Sequence, residues 1–278
     1  LSNELHQMTD EIFGLYSELY EIACKEDDTR LKTFADNQFY GRFLELPADV
    51  VGYNRYFGWY KDAGSAENFG EWLDLYHNEK EKRPVCLSEY GGGGAISQHK
   101  DNVDWESDID PVGVRHYENY QSQLHEILWK QFSVRKYLWA EFIWCMFDFA
   151  SYGRTEGDTK SLNDKGLCTR ERIPKDVYFF YRSVWSSEKT VYITERRHEF
   201  RACDVPFVKV YSNADAVELC INDVSYGRIS RCELPDNENT VFVWKNIKII
   251  PDTKNKICAK AYFSDGTSRT DYAFWTGK

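Results

Sequence analysis

The opening residues set a helical rhythm. Leu5, Met8, Ile12, Leu15, Leu19 and Ile22 recur at spacings of three and four, which predicts an amphipathic helix over 5–26. A short apolar piece, Leu31 to Ala35, follows a charged turn. Val50–Phe57 after Pro47 predicts a strand, and Glu67–Asn78 a helix. Pro84–Ser88 predicts a short buried strand running into the glycines Gly91–Gly94. Val112–Gln131 predicts a helix with Tyr, Leu and Trp on one side. Leu138–Phe149 is a long apolar strand candidate, and Pro174 opens a helix through Trp185 from the favoured first turn. Strands alternating with helices argue for a parallel sheet with helical crossovers. The four strand–helix units amount to half of an eightfold barrel.

Beyond Ser187 the pattern changes. Thr190–Thr194, Phe207–Tyr211, Ala216–Ile221, Val241–Trp244 and Ile257–Phe263 are short β-rich runs. Turn signals separate them at Asn213–Asp215, Asn222–Asp223, Pro235–Asn237 and Asp265–Gly266. With no helical period in it, this stretch predicts a β-sandwich. The expected division is therefore an α/β domain over 1–186 and a β-sandwich over 187–278, meeting near 186–190. No internal repeat or low-complexity tract interrupts either part.

Composition narrows the partners. At roughly 150 residues per domain, 278 residues suit two domains. No apolar run approaches the ~20 residues of a membrane-spanning helix. A net charge of −10 repels phosphate backbones and argues against nucleic acid. Nine Trp, 19 Tyr and 17 Phe suit flat-faced neutral ligands such as sugars, and suit an aromatic core equally. The eight cysteines form no CxxC pair, so free buried thiols are expected ahead of a disulfide framework or a zinc site. Reduced thiols lean towards the cytoplasm. The chain starts at Leu1 inside an apparently structured element, as a fragment of a longer protein would.

Two carboxylates stand out. Glu89 closes a buried strand in Ser88-Glu89-Tyr90-Gly91, the strand end where α/β barrels build active sites. Glu4 follows Asn3 ahead of the first helix. There it is either part of a helix N-terminus or a second carboxylate at a strand end. Glycoside cleavage needs one carboxyl to protonate the leaving oxygen and another to act as nucleophile or base. Aromatics cluster near both in sequence: Tyr53, Tyr56, Phe57, Trp59 and Tyr60, then Trp139, Trp144, Phe147 and Phe149. Asn163-Asp164-Lys165-Gly166 forms a polar loop that could hydrogen-bond a hydroxyl or a carboxylate. Metal-ligand spacing, a P-loop and a dinucleotide fingerprint are all missing from the sequence, since Gly91–Gly94 lacks GxGxxG spacing.

Together these stretches resemble glycoside hydrolase family 2, the β-galactosidase and β-glucuronidase family. The carrying segments are Leu1-Ser2-Asn3-Glu4, the run from Asp49 to Tyr60, Leu87-Ser88-Glu89-Tyr90-Gly91, the run from Trp144 to Phe149, and Asn163-Asp164-Lys165-Gly166 continuing through Lys175. They stand in the family's order and cover most of 1–186.

The resemblance implies the C-terminal half of a TIM (β/α)8 barrel followed by an immunoglobulin-like β-sandwich domain. The family's N-terminal domains and barrel strands one to three would then lie outside this chain. It implies Glu4 as acid/base and Glu89 as nucleophile of a retaining reaction through a glycosyl-enzyme ester. It also implies Asn3 on the sugar 2-hydroxyl, Tyr56 on the nucleophile, Trp144 under the sugar, and Asn54 and Tyr60 lining the pocket. Asn163 and Lys165 resemble the pair that contacts the carboxylate in β-glucuronidases, a tripeptide also found in members acting on neutral sugars. The loop Glu156–Leu162 lacks the arginine expected of a glucuronidase, and the C-terminal part leans the same way. The expected substrate is therefore a terminal β-D-galactoside of an oligosaccharide or glycoconjugate, with a β-D-glucuronide as the alternative. A non-catalytic carbohydrate-binding fragment is the reading from another class. No cofactor is fixed by the sequence and no metal site is expected in this chain, while the resemblance is compatible with magnesium in a full-length parent. A homo-oligomer is compatible with the resemblance, and no membrane partner is implied.

Overall fold

A computed structural model describes residues 1–38 and 40–278, and the backbone but not the side chain of Asn237. The elements run α1 (Asp10–Glu26), β1 (Ala35–Asp36), β2 (Val51–Asn54), α2 (Phe69–Glu79), β3 (Val85–Tyr90), α3 (Trp105–Asp108), α4 (Glu118–Phe132), β4 (Leu138–Ile143), β5 (Phe149–Ala150), β6 (Leu162–Asn163) and α5 (Asp176–Trp185). Strands follow: β7 (Val191–Ile193), β8 (Phe200–Arg201), β9 (Asp204–Ser212), β10 (Ala216–Ile221), β11 (Val224–Ser230), β12 (Val241–Lys248), β13 (Lys254–Tyr262) and β14 (Ser268–Gly277). The chain forms two compact units, one of 1–92 and 127–145, the other of 93–126 and 146–278.

The first unit holds the half-barrel sheet, β1-β2-β3-β4 in chain order and all parallel. Asn3 adds an isolated parallel bridge to Ala35 beyond β1. One face packs on helices through aromatic rings. Tyr53 meets Tyr76 of α2 edge-on at 5.2 Å, and Tyr90 meets Phe132 of α4 edge-on at 5.1 Å. The Tyr53 hydroxyl donates to Glu81 (3.0 Å), which Arg83 grips at 2.8 Å with two nitrogens. Arg135 clamps Asp74 of α2 in the same forked way, at 3.0 and 2.6 Å.

The register between β2 and β3 slips once. Gly52 pairs with Cys86 and Tyr53 with Leu87, but Asn54 pairs with Glu89. Ser88 is thus an extra residue in β3, a β-bulge. A regular strand would send Ser88 and Glu89 to opposite faces. The slip leaves both on the face that carries Asn54, as their contacts with Asn54 and Tyr56 confirm.

The first helix corrects its sequence pattern. It begins at Asp10, where the Thr9 hydroxyl accepts from Ile12 N at 3.2 Å. Leu5 and Met8 lie outside it, and Asn3-Glu4 is not its N-terminus. The buried side chain is Tyr16, edge-on to Phe34 at 6.1 Å. Leu15, Leu19 and Ile22 are 58%, 42% and 49% exposed, so the helix turns that stripe away from the sheet. Other boundaries shift modestly. Residues 112–117 precede α4, β4 ends at Ile143, and Pro174 stands before the Lys175 cap of α5 rather than in its first turn.

In the second unit two antiparallel sheets, β11-β10-β13-β14 with β8 added in parallel, and β12-β9-β7, share one core. Val208, Val210, Val217, Leu219, Phe242, Ile257 and Trp275 are among its fully buried members. Asn222 and Asp223 both take positive φ (49° and 64°), the two-residue hairpin that the sequence signals. Of the longer strands, two escaped the sequence pattern. β11 is a half-exposed edge broken by Gly227, and β14 is mostly polar, burying alternate residues such as Ala273 and Trp275. All eight cysteines are free thiols, although only Cys86 and Cys168 are buried.

Buried charges tie the helices of this unit to its strands. The Glu118 carboxylate at the start of α4 accepts from Arg197 (2.6 Å), His99 (2.9 Å) and the Asp176 amide (3.0 Å). Asp176 accepts from the Tyr192 hydroxyl at 2.6 Å and from the Glu195 amide at 2.5 Å. Removing one member of such a group strands the others in a medium that cannot solvate them. Glu118→Ala is expected to cost about 3–5 kcal/mol of unfolding free energy. Urea denaturation checks this, and a loss below about 1 kcal/mol would class the cluster with surface ion pairs.

Candidate active site

The C-terminal ends of the parallel strands carry the candidate residues. Asn3 bridges Ala35, and Glu4 follows with a positive φ of 50°. Its amide donates to Ala35 O at 3.0 Å, which holds the turn. The Asn54 amide nitrogen donates to Glu4 Oε1 at 2.9 Å and to Asn3 Oδ1 at 3.1 Å. The Asn54 carbonyl accepts from Ser88 Oγ at 2.7 Å. One step along β3, Glu89 Oε2 accepts from the Tyr56 hydroxyl at 2.5 Å, and Glu89 O accepts from Arg55 N at 2.9 Å. Burial, then the Glu89 charge, pushes the Tyr56 phenol far above its ordinary range, so it stays a donor. Tyr60 packs on Tyr56 with ring centroids 5.4 Å apart, within a turn whose Tyr60 amide donates to Tyr56 O. Trp144 joins through its amide to Tyr90 O at 3.0 Å, one residue past Glu89, and precedes a cis peptide to Cys145.

Two residues outside the sequence-based set belong to this cluster. Ser88 supplies the bond to Asn54, and only the register slip reveals that it faces inward. Asp36, at the end of β1, is fully buried, and its Oδ1 accepts from Gln38 N at 2.8 Å. Burial, with a contribution from the Glu4 charge, raises its pKa. The sequence signal for Asp36 is a lone acid ending an apolar run, which is faint.

Asn163 and Lys165 form a cluster in the second unit and, unlike a surface loop, both are buried. Asn163 Oδ1 accepts from Lys165 N at 3.1 Å. The intervening Asp164 pairs with His116 Nδ1 at 2.7 Å. Lys175, wholly buried, donates to Gly94 O (2.6 Å), Asp148 Oδ1 (2.8 Å) and Asp164 O (2.8 Å), using all three ammonium protons. Gly166 N donates to Asp148 Oδ1 at 2.8 Å. A Cβ at Gly166 would come within 2.2 Å of Asp148 N and 2.5 Å of Cys168 O, so only glycine fits the turn.

Among the described residues, one group has metal-like spacing, Asp101, Glu195 and His198, with ligand atoms within 4.8 Å of one another. Arg201 lies against both acids, 2.9 Å from Glu195, and its guanidinium already supplies the counter-charge there.

Comparison with known proteins gives consistent matches. The family model described as "Glycosyl hydrolases family 2, TIM barrel domain" matches residues 6–190, and a domain family of unknown function matches 205–269. A β-glucuronidase of Bacteroides fragilis is 35% identical over 251 residues, 90% of this chain and 34% of its own length. The Homo sapiens β-glucuronidase is 31% identical over 61% of this chain and 25% of its own length. An FMN-binding β-glucuronidase from Facaelibacterium prausnitzii L2-6 superposes with a TM-score of 0.84 at 31% identity, over 99% of this chain and 40% of that one. A Bacteroides fragilis protein provisionally assigned as a β-galactosidase gives 0.88 at 27% identity, with the same two coverages of 99% and 40%. The chain thus spans about a third of the length of the first curated relative, 34%.

The buried turn generates a pH prediction. Burial pushes the Asp148 carboxyl up to about 6, against the pull of Lys175 and the Gly166 amide. With the folded value above the unfolded one, the native state binds the extra proton between about pH 4 and 6. The contribution of this group to stability therefore falls as pH rises through that window and is flat above it. Asp148→Asn removes the slope, so the stability difference should shift in favour of the variant from pH 4 to 6. Urea melts at four pH values measure it, and a constant difference would mean that Lys175 fully offsets the burial.

Proposed function

The chain belongs to glycosyl hydrolase family 2, and we propose that it carries the catalytic carboxylates of a retaining β-glycosidase that cleaves terminal β-D-glucuronides. The observation that carries the reading is the pair of carboxyl groups at strand ends of one parallel sheet. Each is oriented by a hydrogen bond, Glu89 by Tyr56 at 2.5 Å and Glu4 by Asn54 at 2.9 Å.

The chemistry follows from those bonds. The Tyr56 hydroxyl on Glu89 Oε2 orients the carboxylate that attacks the anomeric carbon. Glu4 gives a proton to the departing oxygen as that bond forms. A glycosyl ester on Glu89 results. Glu4, now a carboxylate, takes a proton from water, whose oxygen attacks the anomeric carbon as the bond to Glu89 breaks, releasing the sugar with retained configuration. Asn3 would take the 2-hydroxyl, Trp144 would supply the apolar floor, and Tyr60 would line the pocket.

Asn163 and Lys165 support the choice of sugar. A lysine held on a braced turn makes a charge-assisted hydrogen bond to an anionic substituent, stronger than the bond a neutral hydroxyl offers. The names of the curated relatives point the same way. A β-D-galactoside, favoured by the sequence pattern, keeps support from the Bacteroides fragilis structural neighbour. The two-sheet region after α5 we assign as an immunoglobulin-like domain, on its antiparallel sheets closing over a shared core.

The tests use the protein that carries this chain at full length. Glu89→Gln is expected to abolish hydrolysis of aryl β-glycosides, and Glu4→Gln to lower it by about 10²–10⁴ on poor leaving groups. Sugar binding without turnover in the parent would leave only a carbohydrate-binding role. Lys165→Met is expected to lose about 10–100-fold in kcat/KM on an aryl β-glucuronide, the worth of one charged hydrogen bond, with little change on the matching galactoside. The reverse preference would establish the galactoside reading.

A further inference from the structure

We propose that Ser88, acting through Asn54, is the positioning device that decides which oxygen of Glu4 carries the catalytic proton. The inference rests on the reading of Glu4 as the acid/base and assigns a role to a residue outside that reading.

Asn54 is almost fully buried, and both its polar atoms have protein partners. Its nitrogen has two protons and faces two acceptors, Glu4 Oε1 at 2.9 Å and Asn3 Oδ1 at 3.1 Å. Its oxygen can only accept, and the group within reach is the Ser88 hydroxyl at 2.7 Å. Ser88 must therefore donate. That bond fixes the amide orientation, because a flipped Asn54 would aim its oxygen at the Glu4 carboxylate and its nitrogen at Ser88. With its amide spent in this way, Asn54 orients the acid rather than the sugar.

A locked amide distinguishes the two oxygens of Glu4. Oε1 accepts from Asn54 in both protonation states, so the proton resides on Oε2. In the first step the Oε2–H proton passes to the departing oxygen as its bond to the anomeric carbon breaks and Glu89 bonds to that carbon. In the second, a water proton passes to Oε2 as the water oxygen bonds to the carbon and the Glu89 carboxylate leaves. Oε1 stays bonded to Asn54 throughout. The same amide turns Asn3 Oδ1 towards Asn54, which directs the Asn3 nitrogen elsewhere.

Two independent features of the backbone make the contact with Ser88. The bulge in β3 puts Ser88 on the same face as Asn54. Gly52, two residues before Asn54 on β2, clears the space. A Cβ there would lie 2.9 Å from both Cβ and Oγ of Ser88, and 2.8 Å from Phe34 O. Any larger residue at 52 would displace the hydroxyl from its place across the strand pair.

The test is the leaving-group dependence of kcat/KM, which reports the first chemical step, in the full-length protein. Ser88→Ala removes the donor and frees the amide to flip. Aryl glycosides with poor leaving groups, which need the proton, are expected to lose about 10-fold, part of the ~10²–10⁴ that general acid catalysis supplies. The 2,4-dinitrophenyl glycoside, which departs without a proton, should change less than 2-fold, a limit well inside that range. Ser88→Thr, which keeps the hydroxyl, should recover most of the loss. Equal losses on both substrates would mean a merely structural serine, and no loss on either would mean that Asn54 holds its orientation unaided; each overturns the proposal. Glu4→Gln run in parallel separates the two readings. If it shows no leaving-group dependence, the acid/base assignment of Glu4 itself fails, whatever Ser88 does.

Discussion

One register slip organises the sheet face that carries Glu4 and Glu89. Side chains on a strand alternate, so in an unbroken β3 Glu89 would share the face of Leu87 and Tyr53, against the helices. The extra residue at Ser88 reverses that parity after Leu87. Glu89 then reaches Tyr56, Ser88 reaches Asn54, and Asn54 reaches Glu4 across the sheet. The outward packing resumes at once, with Tyr90 against Phe132. A bulge between two well-packed anchors, Leu87 and Tyr90, both fully buried, cannot relax without exposing one of them.

The second unit works by a different constraint, the cost of burying charge. Lys175 is wholly buried, yet its three protons all have acceptors, two of them carbonyls of the Gly94 and Asp164 backbone. Glu118 is treated alike, with donors from Arg197, His99 and the Asp176 amide. Apolar packing would hold these segments at less desolvation cost. What the polar groups add is direction, since each bond fixes a particular backbone atom. The Asn163–Gly166 turn is braced in this way from Asp148, Gly94 and Lys175, with glycine at 166 the single residue that clears the neighbouring backbone. A turn so braced holds the Lys165 backbone at a set place.

Much of this was legible from residues. The alternation of strand and helix, the parallel order of four strands and the change to β structure after α5 follow from apolar periodicity, because burial on one or two faces leaves that trace. Local turn chemistry was legible for the same reason, as at Asn222–Asp223, where the residue types that tolerate positive φ are few. The ordered motifs around Glu4, Tyr56, Glu89, Trp144 and Asn163 also stood in the sequence.

Tertiary structure decided the rest, because it depends on partners distant in the chain. The sequence favoured a helix face through Leu15, Leu19 and Ile22, but the helix packs through Tyr16 because Phe34 is what it meets. Residue types alone offered Asn3-Glu4 first as a helix N-terminus and second as a strand end, and the bridge to Ala35 separated the two. It marked Ser88 as a neighbour of Glu89 without a facing, since parity in a strand is set by pairing with Asn54 and Tyr53 of β2 and not by β3 itself. Composition and periodicity determine which residues can share a face. Which atoms then touch is a property of register, and register exists only once the strands have paired.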